Sequence, residues 1–239
     1  MAADYEPMPS DWERGLAVVA HPDDLEYGAS AAIARWVDDG KSFVYVLASR
    51  GEAGIDGITP QECGPLRERE QIEAARIVGV SEVEFLDHRD GVIEYGLPLR
   101  RDLAAAIRRH RPELVVTLNH AASWSNGSRN SPDHRNVGEA LLDAVGDAGN
   151  RWIFPELGLE PWNGVRWVAV AGVTEATHAV AVESSLDRGV ASLEAHRAYL
   201  EGLGDGPMSD AGTFLRDSAR EAGERFGGRL AVAFEVLPV

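Results

Sequence analysis

An apolar strand that runs directly into a polar His-Pro-Asp-Asp loop constrains the fold of this chain more than any other feature. Residues 16–20 are continuously apolar, which is typical of a β-strand buried on both faces. Between Gly28 and Val37 apolar residues recur at helical spacing, so a helix with one buried face follows. Residues 21–24 are therefore predicted to form a strand-to-helix loop. In open α/β sheets such loops lie at the carboxyl edge, where ligands bind.

The same alternation of strand and helix continues along the chain. Apolar runs predict further strands at residues 43–48, 82–86, 114–118, 167–171, 179–182 and 230–236. Amphipathic patterns predict helices from Pro65 to Gly79, over residues 99–110, from His134 onward, and over 186–203 and 211–225. This order favours a single α/β domain, with a mostly parallel sheet and helices on both faces. We expect residues 1–13 to form a flexible N-terminal segment.

The acidic balance of the chain limits its partners. The 239 residues suffice for one sizeable core, and a formal net charge of −16 provides no basic footprint for nucleic acids or anionic membranes. The first residues carry no secretory signal, and no apolar run approaches the ~20 residues that cross a bilayer. The single cysteine, Cys63, fits an incidental loop thiol in a reducing compartment. We expect a cytoplasmic protein, and the sequence leaves a homo-oligomer open.

The spacing of histidine and aspartate residues indicates a metal site. His21 and Asp24 leave one loop three residues apart, and His134 follows the strand predicted at 114–118. If both loops share the carboxyl edge, these side chains form a three-ligand site with a position left for water, and Asp23 remains free as a base. The alternative is a capped helix entry, because aspartate is common at helix N-termini. The second cluster, at residues 132–134, favours the metal.

Several sequence blocks resemble one known family. Residues 20–24 resemble the signature of the LmbE-like or PIG-L metal-dependent deacetylases, and residues 132–134 with 137–138 resemble its second motif. Residues 49–54, 67–70 and 195–196 are similar to further blocks, so the match covers residues 16–200 in order. The resemblance implies a single Rossmann-like domain spanning residues 1–239 that uses zinc, with ferrous iron as the alternative.

The resemblance also implies roles for eight residues. The metal ligands would be His21, Asp24 and His134. At the catalytic centre, Asp23 would be the general base and Asp133 would orient a neighbouring group. The expected contacts to substrate are Glu52, Arg67 and Asp90. The alternative for Arg67 is a solvated or ion-paired side chain on a charged helix face.

One departure from the family pattern bears on catalysis. The second motif often begins with a histidine that donates to the developing oxyanion, and this chain has Ser131 there. A hydroxyl is a weaker donor than an imidazolium, so the replacement donors considered are His120 and His178. Near the first motif, Leu25 stands where many relatives have glutamate, which changes no inferred ligand.

The reaction that these residues predict is hydrolysis of an N-acyl bond, with an N-acetylated amino sugar or glycoconjugate as the small-molecule substrate. One alternative is a metal-binding domain with weak or no deacetylase activity, and another is an amidase for a non-sugar amide. A nucleotide-binding module is disfavoured, because two carboxylates replace the glycine-rich turn and would repel a pyrophosphate. Three tryptophans could stack on sugar rings: Trp124, Trp152 and Trp162.

Overall fold

One eight-stranded sheet runs through the residues that the computed structural model describes, 4–206 and 208–239. The strands are β1 (Glu6–Pro7), β2 (Arg14–Val19), β3 (Ser42–Leu47), β4 (Glu82–Phe85), β5 (Leu114–Leu118), β6 (Trp167–Ala171), β7 (His178–Ala181) and β8 (Ala231–Pro238). Their order is β1-β7-β8-β6-β5-β2-β3-β4. Every neighbouring pair is parallel except those of β8, which is antiparallel to β6 and β7. The predicted mostly parallel sheet in a single α/β domain is confirmed.

Helices cover both faces of this sheet. They are α1 (Asp24–Gly28), α2 (Ser30–Asp38), α3 (Pro60–Ile77), α4 (Leu97–His110), α5 (Pro132–Gly149), α6 (Leu186–Glu194), α7 (Arg197–Gly202) and α8 (Ala211–Gly223). Successive residues of β2 point to opposite faces. Ala17 and Val19 join a core cluster with α1, α2, α6 and α8, whereas Leu16 and Val18 join a second cluster with α4 and α5. The strand is buried on both sides, as its apolar run predicts.

The chain reverses its direction of travel across the sheet next to β2. From β2 it moves outward to β3 and β4, then returns to place β5 on the other side of β2. The loops that leave β2 and β5 therefore meet at the carboxyl edge, at a topological switch point, which is where open α/β sheets bind ligands.

The third helix begins earlier than the sequence suggested. We predicted its start at Pro65, but α3 begins at Pro60, and Pro65 lies inside it. Either proline is compatible with a first helical turn, and the more N-terminal one occupies it. Cys63 is consequently a fully buried helical residue instead of a loop thiol.

Two helices differ from their predicted bounds. The helix predicted between Gly28 and Val37 is interrupted at Ala29, whose φ of −141° is not helical: α2 begins at Ser30, and the preceding α1 was not predicted. The helix expected over residues 186–203 is divided at His196 into α6 and α7. Both breaks occur beside buried polar groups, which the hydrophobic periodicity does not register.

Residues 4–13 pack against the domain instead of forming the flexible segment that the sequence predicts for residues 1–13, whose first three residues lie outside the described part of the chain. Glu6–Pro7 pairs with β7, and the Trp12 ring is buried edge-on against Trp36 and Phe43. Within residues 4–206 and 208–239, no helix combines the length and apolarity needed to cross a bilayer.

Candidate metal centre

Two loops at the switch point bring three potential metal ligands together. His21 lies in the loop between β2 and α1, Asp24 is the first residue of α1, and His134 lies in the first turn of α5. Ser131 fixes where α5 starts, because its side-chain oxygen accepts a hydrogen bond from the Asp133 backbone N–H at 3.1 Å. Pro132 follows at the first helical position. The predicted juxtaposition of residues 21 and 134 is present in the structure.

The separations of the three side chains suit a small divalent cation. His21 Nδ1 lies 3.2 Å from His134 Nε2 and 3.6 Å from Asp24 Oδ2, and His134 Nε2 lies 3.0 Å from Asp24 Oδ1. Ligand atoms about 2.0–2.1 Å from a tetrahedral zinc ion are roughly 3.3 Å apart. Two imidazole nitrogens and a carboxylate are also a donor set that zinc and ferrous iron accept. The residues present therefore fit such an ion.

Each imidazole is oriented through its second ring nitrogen. His134 Nδ1 donates to Asn130 Oδ1 at 2.9 Å. His21 Nε2 lies 3.1 Å from both Asp133 Oδ2 and Asp90 Oδ1. Such outer partners fix the tautomer and ring direction of metal-binding histidines. Asn130 was not predicted as a site residue, although its position four residues before His134, in the loop leading to the helix, offered a signal.

Asp24 also caps the backbone of the loop that carries it. Its Oδ2 accepts hydrogen bonds from the backbone N–H groups of Ala20, at 3.1 Å, and His21, at 2.9 Å. The other oxygen faces His134. The capped helix entry that we considered as the alternative is not formed, because Asp23 makes no side-chain capping hydrogen bond to α1 and Asp24 instead holds the loop before the helix.

Asp133 is fully buried and connects α5 to the loop that follows β4. Its Oδ2 accepts the Gly91 N–H at 2.7 Å, and its Oδ1 accepts the Ile93 N–H at 3.1 Å. The same carboxylate contacts His21 Nε2. This position agrees with the orienting role that the family resemblance implies for Asp133.

The electrostatics of the cluster favour a positive charge at its centre. Burial acts to lower the pKa of His21 and of His134, but the surrounding carboxylates outweigh it and raise both pKa values. Burial acts to raise the pKa of Asp24, but the two imidazoles outweigh it and lower that pKa. A bound cation would compensate the carboxylates in the same way as these protons.

Asp23 lies directly beside the cluster in an unusual backbone conformation. Its φ is +87°, a region that residues with a side chain rarely adopt. Its carboxylate is buried and lies 3.1 Å from Arg67 Nη2. Burial raises the pKa of Asp23, and the Arg67 guanidinium opposes this effect.

The three expected substrate contacts occupy different environments. Arg67 is only 2% exposed, and it donates to the Pro22 carbonyl at 2.5 Å in addition to pairing with Asp23. Glu52 Oε1 accepts the Asp90 N–H at 2.9 Å, and its Oε2 has no hydrogen-bond partner among the described residues. Asp90 is held beside His21. Glu52 is thus held next to Asp90, which lies beside His21. Arg67 is buried against the Pro22 carbonyl and the Asp23 carboxylate, so it is ion-paired instead of solvated.

The two histidines considered as oxyanion donors differ in position. The His120 side chain packs against Gly138, one helical turn after His134, and its buried Nδ1 lacks a hydrogen-bond partner in the described chain. His178 instead contacts Thr177 and, at 3.9 Å, Glu6. Of the two, His120 is the one carried by the loop that leads to α5.

The tryptophans considered for sugar stacking are also dispersed. Trp124 packs edge-on against the His134 ring, with the ring centroids 5.8 Å apart. Trp152 is 80% exposed at the far end of α5, and Trp162 donates its indole N–H to Pro112. Trp124 is the tryptophan of these three that contacts the candidate metal centre.

The sheet and the cluster at its switch point define an α/β protein with a His-Asp-His group able to hold a metal ion. The family model described as PIG-L, GlcNAc-PI de-N-acetylase, matches residues 16–145, more than half of the chain. The chain belongs to this family. The matched region begins in β2 and ends in α5, so it contains all three candidate ligands.

Curated relatives with related sequences are named as deacetylases. A diacetylchitobiose deacetylase from Thermococcus kodakarensis is 30% identical over 142 residues, covering 59% of this chain and 52% of the relative. A 1D-myo-inositol 2-acetamido-2-deoxy-alpha-D-glucopyranoside deacetylase from Saccharopolyspora erythraea is 30% identical over 174 residues, covering 62% of this chain and 61% of the relative. The chain therefore spans between about half and three fifths of the length of these relatives.

A solved structure extends the likeness over nearly the whole fold. The N,N'-diacetylchitobiose deacetylase from Pyrococcus horikoshii superposes with a TM-score of 0.85, covering 95% of this chain and 85% of that one. At 24% sequence identity this likeness concerns the fold, and a fold alone does not define a reaction.

Proposed function

We propose that this chain is a metal-dependent hydrolase that removes the N-acetyl group from an amino sugar or a glycoconjugate. One observation carries the proposal: His21 Nδ1, Asp24 Oδ1 and His134 Nε2 converge on one point. The buried Asp23 directly precedes Asp24, and its charge acts on His134. The names of the sequence relatives, which specify N-acetylated sugars, support this substrate class.

His21, Asp24 and His134 would hold the cation, and zinc or ferrous iron suits their nitrogen and oxygen donors. When bound, such an ion acidifies a water molecule and polarises the acetyl carbonyl. Asn130 and the pair of Asp133 and Asp90 orient the two imidazoles, so that the donor nitrogens are directed before any ion arrives.

Asp23 would be the general base. Its carboxylate takes a proton from the attacking water as the new C–O bond forms at the acetyl carbon. When the C–N bond breaks, the same carboxyl group returns that proton to the leaving nitrogen. The products are acetate and the protonated amine, which takes its second proton from the new carboxyl group, and Asp23 ends the cycle ionised. Arg67 would hold this carboxylate in place throughout.

Ser131 Oγ accepts the Asp133 N–H at the start of α5, and its O–H is a weaker oxyanion donor than an imidazolium. His120 is the better supported donor, since its Nδ1 lacks a partner in the described chain and its side chain packs one turn from His134. A donor of this kind is worth about two to three orders of magnitude in turnover.

Glu52, Asp90 and Trp124 would contact the sugar. Glu52 Oε2, which has no hydrogen-bond partner in the described chain, can accept a hydrogen bond from a sugar hydroxyl group. Trp124 presents an aromatic ring next to His134. The cytoplasmic location expected from the sequence stays a prediction.

Amine release by the metal-loaded protein tests the proposal. The panel contains N,N'-diacetylchitobiose, an N-acetylglucosaminyl inositol, N-acetylglucosamine and a non-sugar N-acetyl amide. We expect release from at least one sugar substrate and its loss on chelation. The Asp23→Asn variant should lose at least a hundredfold in kcat while keeping its bound metal. Asp56→Asn, at an exposed loop position, is the matched control.

Two alternative outcomes would redirect the assignment. Bound metal without amine release from any substrate would favour a metal-binding domain of weak or no activity, an alternative that Ser131 supports. Release from the non-sugar amide alone would favour an amidase of different specificity. Full activity in Asp23→Asn would refute the assignment of the base.

A further inference from the structure

Two side chains of α3 hold the peptide group between Pro22 and Asp23 at both of its ends. Arg67 Nη2 donates to the Pro22 carbonyl at 2.5 Å, and the Asp23 N–H donates to Gln71 Oε1 at 3.1 Å. Arg67 and Gln71 are four residues apart in a helix, so they lie on one face, one above the other. We call this pair the α3 clamp.

The clamp acts on a backbone that would not otherwise adopt this conformation. Asp23 has φ +87° and ψ −23°, which costs free energy for a residue with a side chain and persists only where its surroundings enforce it. Peptide-group contacts at both ends provide that enforcement. If the peptide group rotates, the Asp23 carboxylate moves with it.

The orientation of the Gln71 amide is fixed by its second partner. Its Nε2 donates to Glu26 Oε1 at 3.0 Å. A backbone N–H can only donate and a carboxylate can only accept, so this amide cannot flip without losing both hydrogen bonds. Glu26 is itself fully buried, and its Oε2 lies 3.4 Å from Nε2 of the buried His196. The clamp therefore rests on a buried polar chain that reaches the break between α6 and α7.

We propose that Gln71 is a positioning residue for the reaction, and that the α3 clamp sets the direction of the Asp23 carboxylate towards the metal centre. Gln71 is fully buried, so it acts through Asp23 and not on substrate. The inference rests on the proposed function, in which Asp23 is the base. A one-ångström displacement of a catalytic group lowers turnover by roughly a hundredfold.

A set of Gln71 and Glu26 variants tests this inference. Gln71→Leu removes both hydrogen bonds. Gln71→Glu keeps an acceptor for Asp23 but sets a second carboxylate against Glu26. The double variant Gln71→Glu with Glu26→Gln restores the acceptor, the donor and the net charge with the two residues exchanged. Glu73→Gln, on the exposed side of the same helix, is the control.

We expect Gln71→Leu and Gln71→Glu to lose at least tenfold in kcat, with KM and bound metal within twofold of the wild type. The exchanged pair should reverse at least half of the decrease in log kcat that Gln71→Glu alone causes. The control should match the wild type. A purely structural role for Gln71 would reduce the folded fraction and not kcat per folded, metal-loaded molecule.

Wild-type kcat in both single variants, or no recovery in the exchanged pair, would overturn the inference. A wild-type protein that releases no amine refutes the proposed function instead. In that case a crystal structure of Gln71→Glu decides the inference. Unchanged φ and carboxylate position at residue 23 would overturn it, and a displaced carboxylate that returns in the exchanged pair would support it.

Discussion

Asn130 is expected to control metal affinity without contacting the metal. Its Oδ1 accepts the His134 Nδ1 proton at 2.9 Å, and the side chain is fully buried. Its Nδ2 donates to the carbonyls of Asn119, at 2.7 Å, and Ala121, at 3.0 Å. One side chain therefore fixes both the tautomer of a candidate ligand and the loop that precedes it.

The size of the effect follows from these contacts. Asn130→Ala leaves the buried Nδ1–H of His134 without a partner and frees the ring to rotate. Loss of such an outer partner lowers metal affinity about 10–100-fold, or roughly 1.4–2.7 kcal/mol. The two lost hydrogen bonds to loop carbonyls should lower the free energy of unfolding by about 1 kcal/mol each.

A second substitution separates the two effects. Asn130→Asp keeps an acceptor for His134 but loses both donors to the loop. In a chelator-competition titration with zinc, we expect Asn130→Ala to bind 10–100-fold more weakly and Asn130→Asp to bind within about threefold of the wild type. Both variants should melt at lower temperature. Asn126→Ala, at an exposed position of the same loop, is the control.

Two results would refute this reasoning. Wild-type affinity in Asn130→Ala would mean that the hydrogen bond does not orient His134. Equal loss of affinity in the alanine and aspartate variants would mean that the loop conformation, and not the acceptor, determines binding.

Two further predictions concern stability. A Cβ at Gly138 would lie 2.3 Å from His120 Cβ, whereas a Cβ at Gly146, on the same helix, meets nothing within 4 Å. In urea unfolding, Gly138→Ala should lose about 1–3 kcal/mol and Gly146→Ala should gain up to about 1 kcal/mol; equal effects would contradict the packing argument. Hydrogen bonding to His110 lowers the pKa of Glu84 to about 2. Because the folded state favours ionised Glu84, this residue contributes to the free energy of unfolding at pH values above its unfolded pKa of about 4.3. That contribution is lost as the pH falls through the folded pKa. In thermal melts, Glu84→Gln should therefore be less stable than the wild type by up to about 1 kcal/mol at pH 6, and the two proteins should converge only below about pH 2; a constant difference would contradict the linkage.

Local sequence patterns were sufficient to predict seven of the eight strands in the described chain, all but β1, and the edge of the sheet at which the site lies. Residues 16–20 have the continuous apolar pattern of a doubly buried strand because both faces of β2 are covered. The alternation of strands and helices then predicted that the loops of His21 and His134 lie together. Boundaries were less accurate where two local signals competed. Pro60 and Pro65 both suit a first helical turn, and the periodicity across Ala29 continues through a real break.

Contacts between distant segments were not predictable in the same way. Gln71 reaches Asp23 across 48 positions, and the hydrogen bond is specified by the packing of α3 against the loop and not by any local pattern. Arg67 illustrates the same limit: its sequence block did not indicate that the side chain is buried and ion-paired with Asp23, and its expected contact with substrate stays a prediction.

The glycines of the loop after β3 gain a physical explanation from this placement of Arg67. A Cβ at Gly54 would lie 2.3 Å from Arg67 Nη1, and a Cβ at Gly51, where φ is +65°, would lie 2.9 Å from the same atom. The loop can pass over the guanidinium only if both positions lack a side chain. Glu52, between them, is thereby brought to Asp90 at the edge of the metal centre. The buried arginine thus contacts both Asp23 and the loop that carries Glu52, which links two sequence blocks that share no local pattern.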